Sequence, residues 1–300
     1  MEYKLSNIPN LFIVGAPKCG STSMWYYLSQ HKEVFMVKEK EPQFFNDDLE
    51  FSNRPTVGEY DQMYSSSSKE KYLGEASPLY LISKTAAINI KKVSPDAKII
   101  IMIRKPSDLL YSIYLQNKVN QIENLNTFED ALGFESARRK NLKGSINGQP
   151  VIRLFYTEFV NYKEHIERFY AHFNKDQIHI ILFDDLQKNT RAVFEGVLNF
   201  LNLSTDVTID FDVQNTAKIN RNPKLQSLID HPPQWIKSVA RMLANDKLRS
   251  YIYWKLWWSN KKRIKNSLSK KTSCRINATF INKIEELESL TGLILSHWKK

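Results

Sequence analysis

The stretch LFIVGAPKCGSTSMWYYL, residues 11–28, decides the fold of this chain. Its first residues, Leu11–Val14, are apolar and predict a short buried strand. The loop GAPKCG, residues 15–20, follows, and the next segment, STS at 21–23, consists of residue types that begin helices. A strand, a glycine loop and a helix in this order bring free N–H groups and the positive end of a helix dipole to one point. The stretch therefore predicts an anion site, with phosphate as the expected ligand.

The two glycines of this loop have the spacing of a Walker A loop. A Walker loop carries lysine directly after its second glycine, but here Ser21 follows Gly20, and Lys18 lies inside the loop instead. A loop of this kind also occurs as a plain tight turn between a core strand and a helix. The loop alone therefore leaves the function open.

A second apolar run, KIIIMIR at residues 98–104, is bounded by Pro95 and Pro106. Continuous isoleucine-rich runs are typical of central parallel strands that are covered by helices on both faces. In a nucleotide hydrolase of the Walker type, an aspartate near the phosphate loop binds magnesium, whereas this strand ends in Arg104. A guanidinium there favours a phosphate held by fixed cations, and the alternative is an arginine that only caps the strand.

The helix that Pro106 begins carries Ser112, eight residues beyond Arg104 and within reach of the same anion. A third apolar run, QIHIILF at 177–183, predicts another buried strand. Strands that alternate with helices imply right-handed crossovers and a parallel sheet. We therefore predict an α/β fold with a P-loop-like central parallel sheet, helices on both of its faces, and a helical C-terminal extension.

Two further loops carry charged candidates. Pro42 bars a helix interior and favours extended backbone at Glu41, which places this carboxylate on a loop just beyond a short apolar segment. A solvated carboxylate is the plain alternative. The segment NTAKINRNPK, residues 215–224, is predicted to be a polar basic loop. Its Lys218 and Arg221 either stay solvated or fold over a nucleotide as a lid.

The net charge of +11 is regional, because residues 236–275 hold 12 Lys and Arg against one acid while the rest of the chain holds 31 of each sign. Trp254, Trp257 and Trp258 lie in this segment, and Trp235 lies just before it. Lysines mixed with tryptophans favour an anionic membrane surface or a sugar chain that stacks on indole rings. A helical subdomain with buried tryptophans and solvated lysines explains the pattern equally well.

The composition, 42% hydrophobic and 25% charged, is that of a globular protein. Its two cysteines, Cys19 and Cys274, offer neither a disulfide framework nor metal-ligand spacing. The N-terminal residues lack the pattern of a signal peptide, and no run of about 18 apolar residues occurs. We therefore expect a cytoplasmic protein, peripheral to the membrane if the basic segment contacts lipid.

Taken together, these motifs resemble those of the sulfotransferases that use 3′-phosphoadenosine 5′-phosphosulfate (PAPS). PKCGSTSMWYYL, residues 17–28, resembles that family's 5′-phosphosulfate loop, and IIIMIRKPSDLLYSIY, residues 99–114, resembles its 3′-phosphate motif. KEPQFF, residues 40–45, is similar to the KEPxFF of carbohydrate sulfotransferases. GEASPLYL at 74–81 and LTGLILSHW at 290–298 match more loosely, as does the loop that holds Lys218 and Arg221.

The resemblance implies a role for each site residue. Glu41 would be the catalytic base, and Lys18 would stabilise the leaving group. Arg104 and Ser112 would hold the 3′-phosphate of PAPS, the co-substrate, with no metal required. The residues expected to bind the nucleotide are Lys18, Cys19, Gly20, Ser21, Thr22, Ser23, Arg104, Ser112, Lys218 and Arg221.

Several positions depart from the heparan-sulfating enzymes. Gln43 and Asn46 stand where the 3-O-sulfating members have a histidine and an aspartate, Thr22 replaces a basic residue of some members, and Ala76 replaces a lysine near the acceptor. The expected acceptor is therefore a carbohydrate or glycolipid other than heparan. We expect peripheral contact with an anionic membrane through residues 235–275, and no nucleic-acid partner.

The motifs predict one sulfotransferase domain over residues 1–300. Its core spans about 8–224, a basic, tryptophan-rich helical insertion spans about 232–273, and a docking helix spans about 276–298. Two other classes of function stay open. One is a P-loop small-molecule kinase that uses ATP and magnesium, and the other is a non-catalytic module that binds glycan or membrane.

Overall fold

A computed structural model describes residues 5–211, 218–230, 232–243, 246–263 and 268–300. Its strands are β1 (Leu11–Gly15), β2 (Val34–Met36), β3 (Tyr72–Ala76), β4 (Lys98–Ile103), β5 (Ser145–Ile146), β6 (Gln149–Pro150), β7 (Ile178–Leu182), β8 (Lys218–Asn220) and β9 (Lys261–Arg263). The central sheet contains five of them in the order β2-β3-β1-β4-β7, and every pair in it is parallel. The predicted α/β fold with a central parallel sheet is therefore confirmed.

The α-helices surround this sheet and extend beyond it. They are α1 (Ser21–Leu28), α2 (Val57–Gln62), α3 (Ala86–Val93), α4 (Pro106–Val119), α5 (Phe128–Gly133), α6 (Glu135–Asn141), α7 (Tyr162–Tyr170), α8 (Phe183–Lys188), α9 (Thr190–Phe200), α10 (Pro223–Asp230), α11 (Gln234–Leu243), α12 (Asp246–Ser259), α13 (Lys270–Thr279) and α14 (Ile281–Thr291). Short 3-10 helices cover Pro78–Tyr80, Val151–Leu154, Tyr156–Val160, Lys175–Gln177 and Ser296–Lys299. None of the helices described has the length and apolarity needed to cross a bilayer.

The strand order places a topological switch point beside β1. The chain leaves β1 toward β2 and β3 on one side, and then crosses to β4 on the other side. In register, Phe12 of β1 lies between Glu75 of β3 and Ile99 of β4. Ligands of open α/β sheets bind at the carboxyl ends of the strands at such a point, because the loops diverge there. The loop after β1, the turn after β3 and Arg104 after β4 therefore meet at one edge.

Local sequence features set the bounds of several helices. Thr56 and Glu59 form a reciprocal capping box that begins α2. Helix α5 ends at Gly133, and α6 follows it at Glu135. Asp184 and Asp185 give α8 an acidic first turn.

The described part of the basic loop expected over residues 215–224 forms regular structure. Residues 212–217 lie outside the described part of the chain, but β8 pairs antiparallel with β9. The Asn260 amide fixes the start of α10 by donating to the carbonyl of Asn222 at 2.9 Å. Since the pairing partner lies about forty residues away in sequence, a local pattern did not reveal this strand.

The C-terminal residues pack against α8. Trp298 is fully buried, and its indole N–H donates to Oδ2 of Asp184 in α8 at 2.7 Å. Helix α13 contacts α4, where Ser107 and Ser273 share a hydrogen bond of 2.8 Å. The C-terminal extension thus supports the two helices that follow β4 and β7. The division of the chain into core, insertion and docking helix stays a prediction.

Candidate active site

The loop after β1 exposes the N-terminus of α1. Gly20 precedes this helix with φ of 89°, and no side chain caps it. A Cβ at this glycine would lie 2.9 Å from the Leu186 side chain, so a larger residue would displace α8. The first N–H groups of a helix have no intrahelical acceptor, and they carry the positive end of the helix dipole. The turn is therefore built to receive an anion.

Lys18 lies in this loop with φ of 64°, a backbone region that only a few per cent of non-glycine residues adopt. Its side chain is partly buried, and Nζ donates to Oε1 of Gln116 at 3.0 Å. Burial lowers the pKa of Lys18 to about 8, Glu41 opposes this shift, and the positive charges of Arg104 and Arg153 add to it. A lysine in this state lacks countercharge, which a bound anion would supply.

Arg104 follows β4 and contacts the same loop. Its Nη1 donates to the carbonyl of Lys18 at 3.1 Å, and its guanidinium lies 4.6 Å from the ring centroid of Phe183. The Tyr162 hydroxyl donates to the Arg104 carbonyl at 2.8 Å and so fixes the end of the strand. The buried Nε has no hydrogen-bond partner in the described structure. A buried guanidinium donor without an acceptor fits a site that is completed by an anionic ligand.

Ser112 lies on α4, one helical turn before Gln116. Residues four apart lie on the same helix face, so Ser112 faces the side on which Gln116 contacts Lys18. Ser112 therefore lies on the helix face that borders the Lys18 loop, and its binding of a phosphate stays a prediction. The contact of Gln116 with this loop was not predicted.

Glu41 approaches the site from the opposite side. Its backbone has φ of 57°, so the extended conformation expected before Pro42 was wrong, and its N–H donates to the carbonyl of Ala76 at the end of β3 at 3.2 Å. Its Oε2 lies 3.8 Å from Nη2 of Arg153 and accepts a 3.4 Å hydrogen bond from Nε2 of Gln43. The side chain is 41% exposed. The carboxylate is therefore fixed by the loop but remains accessible to a substrate from solvent.

Arg153 is a site residue that the sequence reasoning missed. It is only 9% exposed, its Nε has no partner among the described residues, and burial lowers its pKa. The Asn117 amide donates to its carbonyl at 2.7 Å and anchors it to α4. The available signal was a lone arginine in the apolar run PVIRLFY, residues 150–156. A charge in such a run is buried, and a buried charge needs a partner.

The remaining residues of the predicted phosphosulfate loop differ in burial and in the groups that they present to a ligand. The Cys19 thiol is buried in the core, and burial raises its pKa to about 12, so only the backbone of this residue faces the loop. Ser21 is buried, and Thr22 and Ser23 are partly buried. Nζ of Lys40 donates to the Thr22 hydroxyl at 2.5 Å. Lys40 therefore supplies a cation at the helix N-terminus, where Thr22 itself has none.

Of the two predicted lid residues, Arg221 has an exposed side chain, and Lys218 contributes its backbone to β8. The Asn220 amide donates to the Val119 carbonyl at 3.0 Å, which attaches β8 to the end of α4. The lid stays a prediction. Within the described ranges, no cluster of three His, Cys, Asp or Glu side chains is arranged to hold a metal ion.

Comparison with known proteins gives one matching family model, described as the sulfotransferase domain, over residues 9–273. A membrane-associated sulfotransferase, kil1, of Dictyostelium discoideum is 30% identical over 114 residues, which cover 38% of this chain and 24% of that protein. Carbohydrate sulfotransferase 15 of Homo sapiens is 24% identical over 255 residues, which cover 67% of this chain and 45% of that protein. The bifunctional heparan sulfate N-deacetylase/N-sulfotransferase 1 of Xenopus tropicalis is 26% identical over 222 residues, which cover 70% of this chain and 24% of that protein.

Among solved structures, a sulfotransferase from Alicyclobacillus acidocaldarius has a TM-score of 0.70 at 23% identity, covering 98% of this chain and 100% of that one. This likeness shows the fold. The chain spans about a quarter to a half of the length of the curated relatives described above.

The cluster of charges around Lys18 predicts how its amine titrates. We expect Lys18 to lose its proton with a midpoint near pH 8, measured by competitive acetylation and mass spectrometry. Since Glu41 raises this pKa and Arg153 lowers it, Glu41→Gln should shift the midpoint down and Arg153→Met should shift it up. An unchanged midpoint in both variants would show that burial alone sets the titration and would contradict the role of these charges.

Proposed function

Because the chain belongs to the sulfotransferase domain family, we propose that it transfers a sulfuryl group from PAPS to a hydroxyl or amine of a carbohydrate or glycolipid. One observation carries this proposal. The Arg104 guanidinium donates to the Lys18 carbonyl, and Glu41, whose charge acts on Lys18, lies beside Arg153 at the same sheet edge. Two fixed cations and an accessible carboxylate are the groups that this transfer needs.

The nucleotide would lie along the edge between β1 and β4. The N-terminus of α1 would receive the 5′-phosphate through backbone N–H groups. Arg104, with its free Nε, and Ser112 would bind the 3′-phosphate, which distinguishes PAPS from other adenine nucleotides. Lys218 and Arg221 would close over the nucleotide from β8. The proposal needs no metal, because fixed cations supply the charge.

Transfer would follow an in-line path with a loose transition state, in which positioning and charge stabilisation lower the barrier. The acceptor oxygen forms a bond to sulfur while its proton passes to the Glu41 carboxylate. The bond between sulfur and the bridging oxygen breaks, and its electron pair stays on that oxygen, which becomes part of the 5′-phosphate of the product. Lys18, protonated once an anion raises its pKa, would neutralise that charge.

The acceptor class is supported by KEPQFF in this chain, by the name of carbohydrate sulfotransferase 15, and by exposed aromatic residues in the basic segment. Trp235, Tyr251 and Trp258 are 68%, 62% and 50% exposed. Rings that are accessible in this way can stack on sugar faces or enter a lipid interface. The proposed partners do not include nucleic acid, and the cytoplasmic location stays a prediction.

We further propose that α11 and α12 contact an anionic membrane. Trp235 and Met242 lie seven residues apart on one face of α11, and Met242 is 78% exposed. Leu248, Tyr251 and Ile252 form an exposed apolar surface on α12. The sequence segment 236–275, which includes most of these residues, contains 12 Lys and Arg against one acid. Repulsion between like charges therefore disfavours the association of two copies of this segment, and anionic lipid is the complementary partner. The name of the Dictyostelium relative supports this proposal.

The assignment of Glu41 predicts a separation of catalysis from nucleotide binding. Glu41→Gln should lower transfer of labelled sulfate from PAPS by about 100-fold or more, the range of general-base catalysis. Binding of the desulfated product, measured by calorimetry, should remain. The exposed Glu39, on the same loop, gives the matched control Glu39→Gln, which should keep its activity. Near-normal turnover of Glu41→Gln would remove Glu41 as the base.

The assignment of Arg104 predicts selectivity for the 3′-phosphate. Arg104→Ala should weaken the binding of 3′,5′-bisphosphoadenosine by about 10- to 100-fold, which is the effect of losing one or two charge-assisted hydrogen bonds. It should weaken the binding of AMP far less. Lys105→Ala is the control, because the Lys105 amine bonds to the Lys300 carbonyl at 2.9 Å instead of the loop. Equal losses for both nucleotides contradict the assignment. Thermal stabilisation by ATP with Mg²⁺, but not by bisphosphoadenosine, would favour the kinase alternative.

The membrane proposal predicts lipid-dependent binding. The whole chain should sediment with vesicles that contain an anionic lipid and not with neutral vesicles, and salt should weaken this binding. Replacing Trp235 and Met242 by serine should weaken it, whereas Phe134→Ser, which removes an aromatic ring that is 57% exposed outside the segment, should not. Binding to a glycan array without vesicle binding would assign the segment to the acceptor instead. Glycan binding with no sulfate transfer would favour the non-catalytic module.

A further inference from the structure

Glu75 is a fully buried carboxylate that the proposed mechanism does not use. It lies on β3, beside Phe12 of the central strand. Its Oε1 accepts hydrogen bonds from the hydroxyls of Tyr60 at 2.6 Å and Tyr80 at 3.0 Å, and its Oε2 accepts one from Ser77 at 2.7 Å. Burial raises the pKa of Glu75 to about 7, and the hydroxyl groups oppose that rise. The hydroxyl groups therefore help to keep a buried carboxylate ionised.

Two of these hydroxyl groups also bind the loop that carries Glu41. The Ser77 hydroxyl accepts from the N–H of Gln43 at 3.1 Å. The Tyr80 hydroxyl accepts from the N–H groups of Phe44 and Phe45 at 2.9 and 3.3 Å. A hydroxyl has one proton, and here it points to Glu75, so its lone pairs are directed at the loop. The carboxylate thus fixes the orientation of the groups that hold three consecutive backbone N–H groups.

The loop needs such support because its backbone is strained. Glu41 and Gln43 have φ of 57° and 55°, values that residues with a side chain rarely adopt. Strained conformations persist only where the surrounding structure determines them, and they concentrate at functional sites. Glu41 itself bonds through its N–H to the Ala76 carbonyl, between Glu75 and Ser77. The catalytic loop is therefore attached at four of the five backbone positions 41–45, to Ala76 at the end of β3 and to the Ser77 and Tyr80 hydroxyl groups just beyond it.

We propose that Glu75 is a positioning residue, which orders the Ser77 and Tyr80 hydroxyl groups so that they hold Glu41 in place for proton transfer. The part of this inference that concerns turnover rests on the proposed function. The part that concerns loop geometry stands on the hydrogen bonds alone. The side chain does not touch substrate, since it is enclosed by Tyr60, Ser77 and Tyr80.

The chain offers a matched pair of variants that separates positioning from stability. Tyr60 and Tyr80 are both fully buried and both donate to Oε1 of Glu75. Only the Tyr80 hydroxyl binds the backbone of the Glu41 loop, whereas the Tyr60 hydroxyl contacts that of Tyr64. Tyr60→Phe and Tyr80→Phe each remove one hydroxyl and keep the ring. A structural role of the network alone would give the two variants the same effect.

Amide hydrogen exchange tests the geometry without reference to activity. Tyr80→Phe should accelerate exchange at Phe44 and Phe45, Ser77→Ala should accelerate it at Gln43, and Tyr60→Phe should leave all of these amides protected. Exchange that changes equally in both tyrosine variants would overturn the inference. This result does not depend on which reaction the site performs.

Turnover then tests the consequence. Tyr80→Phe and Ser77→Ala should lower kcat by about 10-fold or more, since small displacements of a catalytic group are costly, with KM for PAPS and binding of bisphosphoadenosine unchanged. Tyr60→Phe should keep kcat within about twofold. Glu75→Gln should resemble Tyr80→Phe. Its NH2 group replaces a carboxylate oxygen, and an NH2 group cannot accept the hydrogen bond by which that oxygen orients a hydroxyl group. Equal kcat in the two tyrosine variants, with the exchange pattern as expected, would refute the positioning role while the loop geometry stands. If the wild-type protein transfers no sulfate from PAPS, the proposed function is refuted, and the conclusion on loop geometry still stands.

Discussion

The parallel register of β1 between β3 and β4 is the constraint on which the rest of the structure depends. Because all three strands end at the same edge, the Lys18 loop, the turn after Ala76 and Arg104 converge there, and the Arg104 guanidinium contacts the Lys18 carbonyl. The strands themselves are held by burial, since β1 is buried along its whole length and β4 from Ile99 to Ile103. Apolar burial in the sheet therefore stabilises a polar edge that would not form alone.

That edge carries more positive charge than its own carboxylate balances. The charges of Arg104, Arg153 and Glu41 all act on Lys18, and both guanidinium groups have a buried Nε without a partner in the described structure. Buried cations without sufficient countercharge cost free energy, and a bound dianion removes that cost. Burial is the main cause of the depressed pKa of Lys18, and the positive charges of Arg104 and Arg153 add to it. Preorganised charge of this kind favours the negative charge that develops when a sulfuryl donor reacts.

The sequence revealed the parts of this site that follow from local patterns. An isoleucine-rich run, a glycine loop with Lys18, and a proline after Glu41 each have a physical meaning within a few residues, and the structure places all three at one edge. Gln116 and Arg153 were not recognised as parts of the site, because their roles depend on partners that lie 98 and 112 residues away. Glu75 was not recognised either, because Ser77 and Tyr80, through which it acts, bind loop residues that lie 34 to 36 residues away from them. The same reason explains β8, whose partner β9 follows three helices later. Pairing at such separations is set by the fold as a whole, and a single sequence contains no local trace of it.

Glu41 and Glu75 are two carboxylates of one fold in contrasting environments. Glu41 is accessible to solvent and lies near Arg153, so a substrate can reach it. Glu75 is enclosed by hydroxyl groups and has no exposed surface, so its charge acts only through the groups that it orients. Those groups bind the backbone of residues 43–44, in a loop that is strained at Glu41 and Gln43. A base on a flexible loop would sample many positions, and holding it in one place before substrate arrives reduces the entropy that the reaction must otherwise overcome. Under the proposed function, the buried carboxylate contributes to catalysis by restricting the motion of the exposed one.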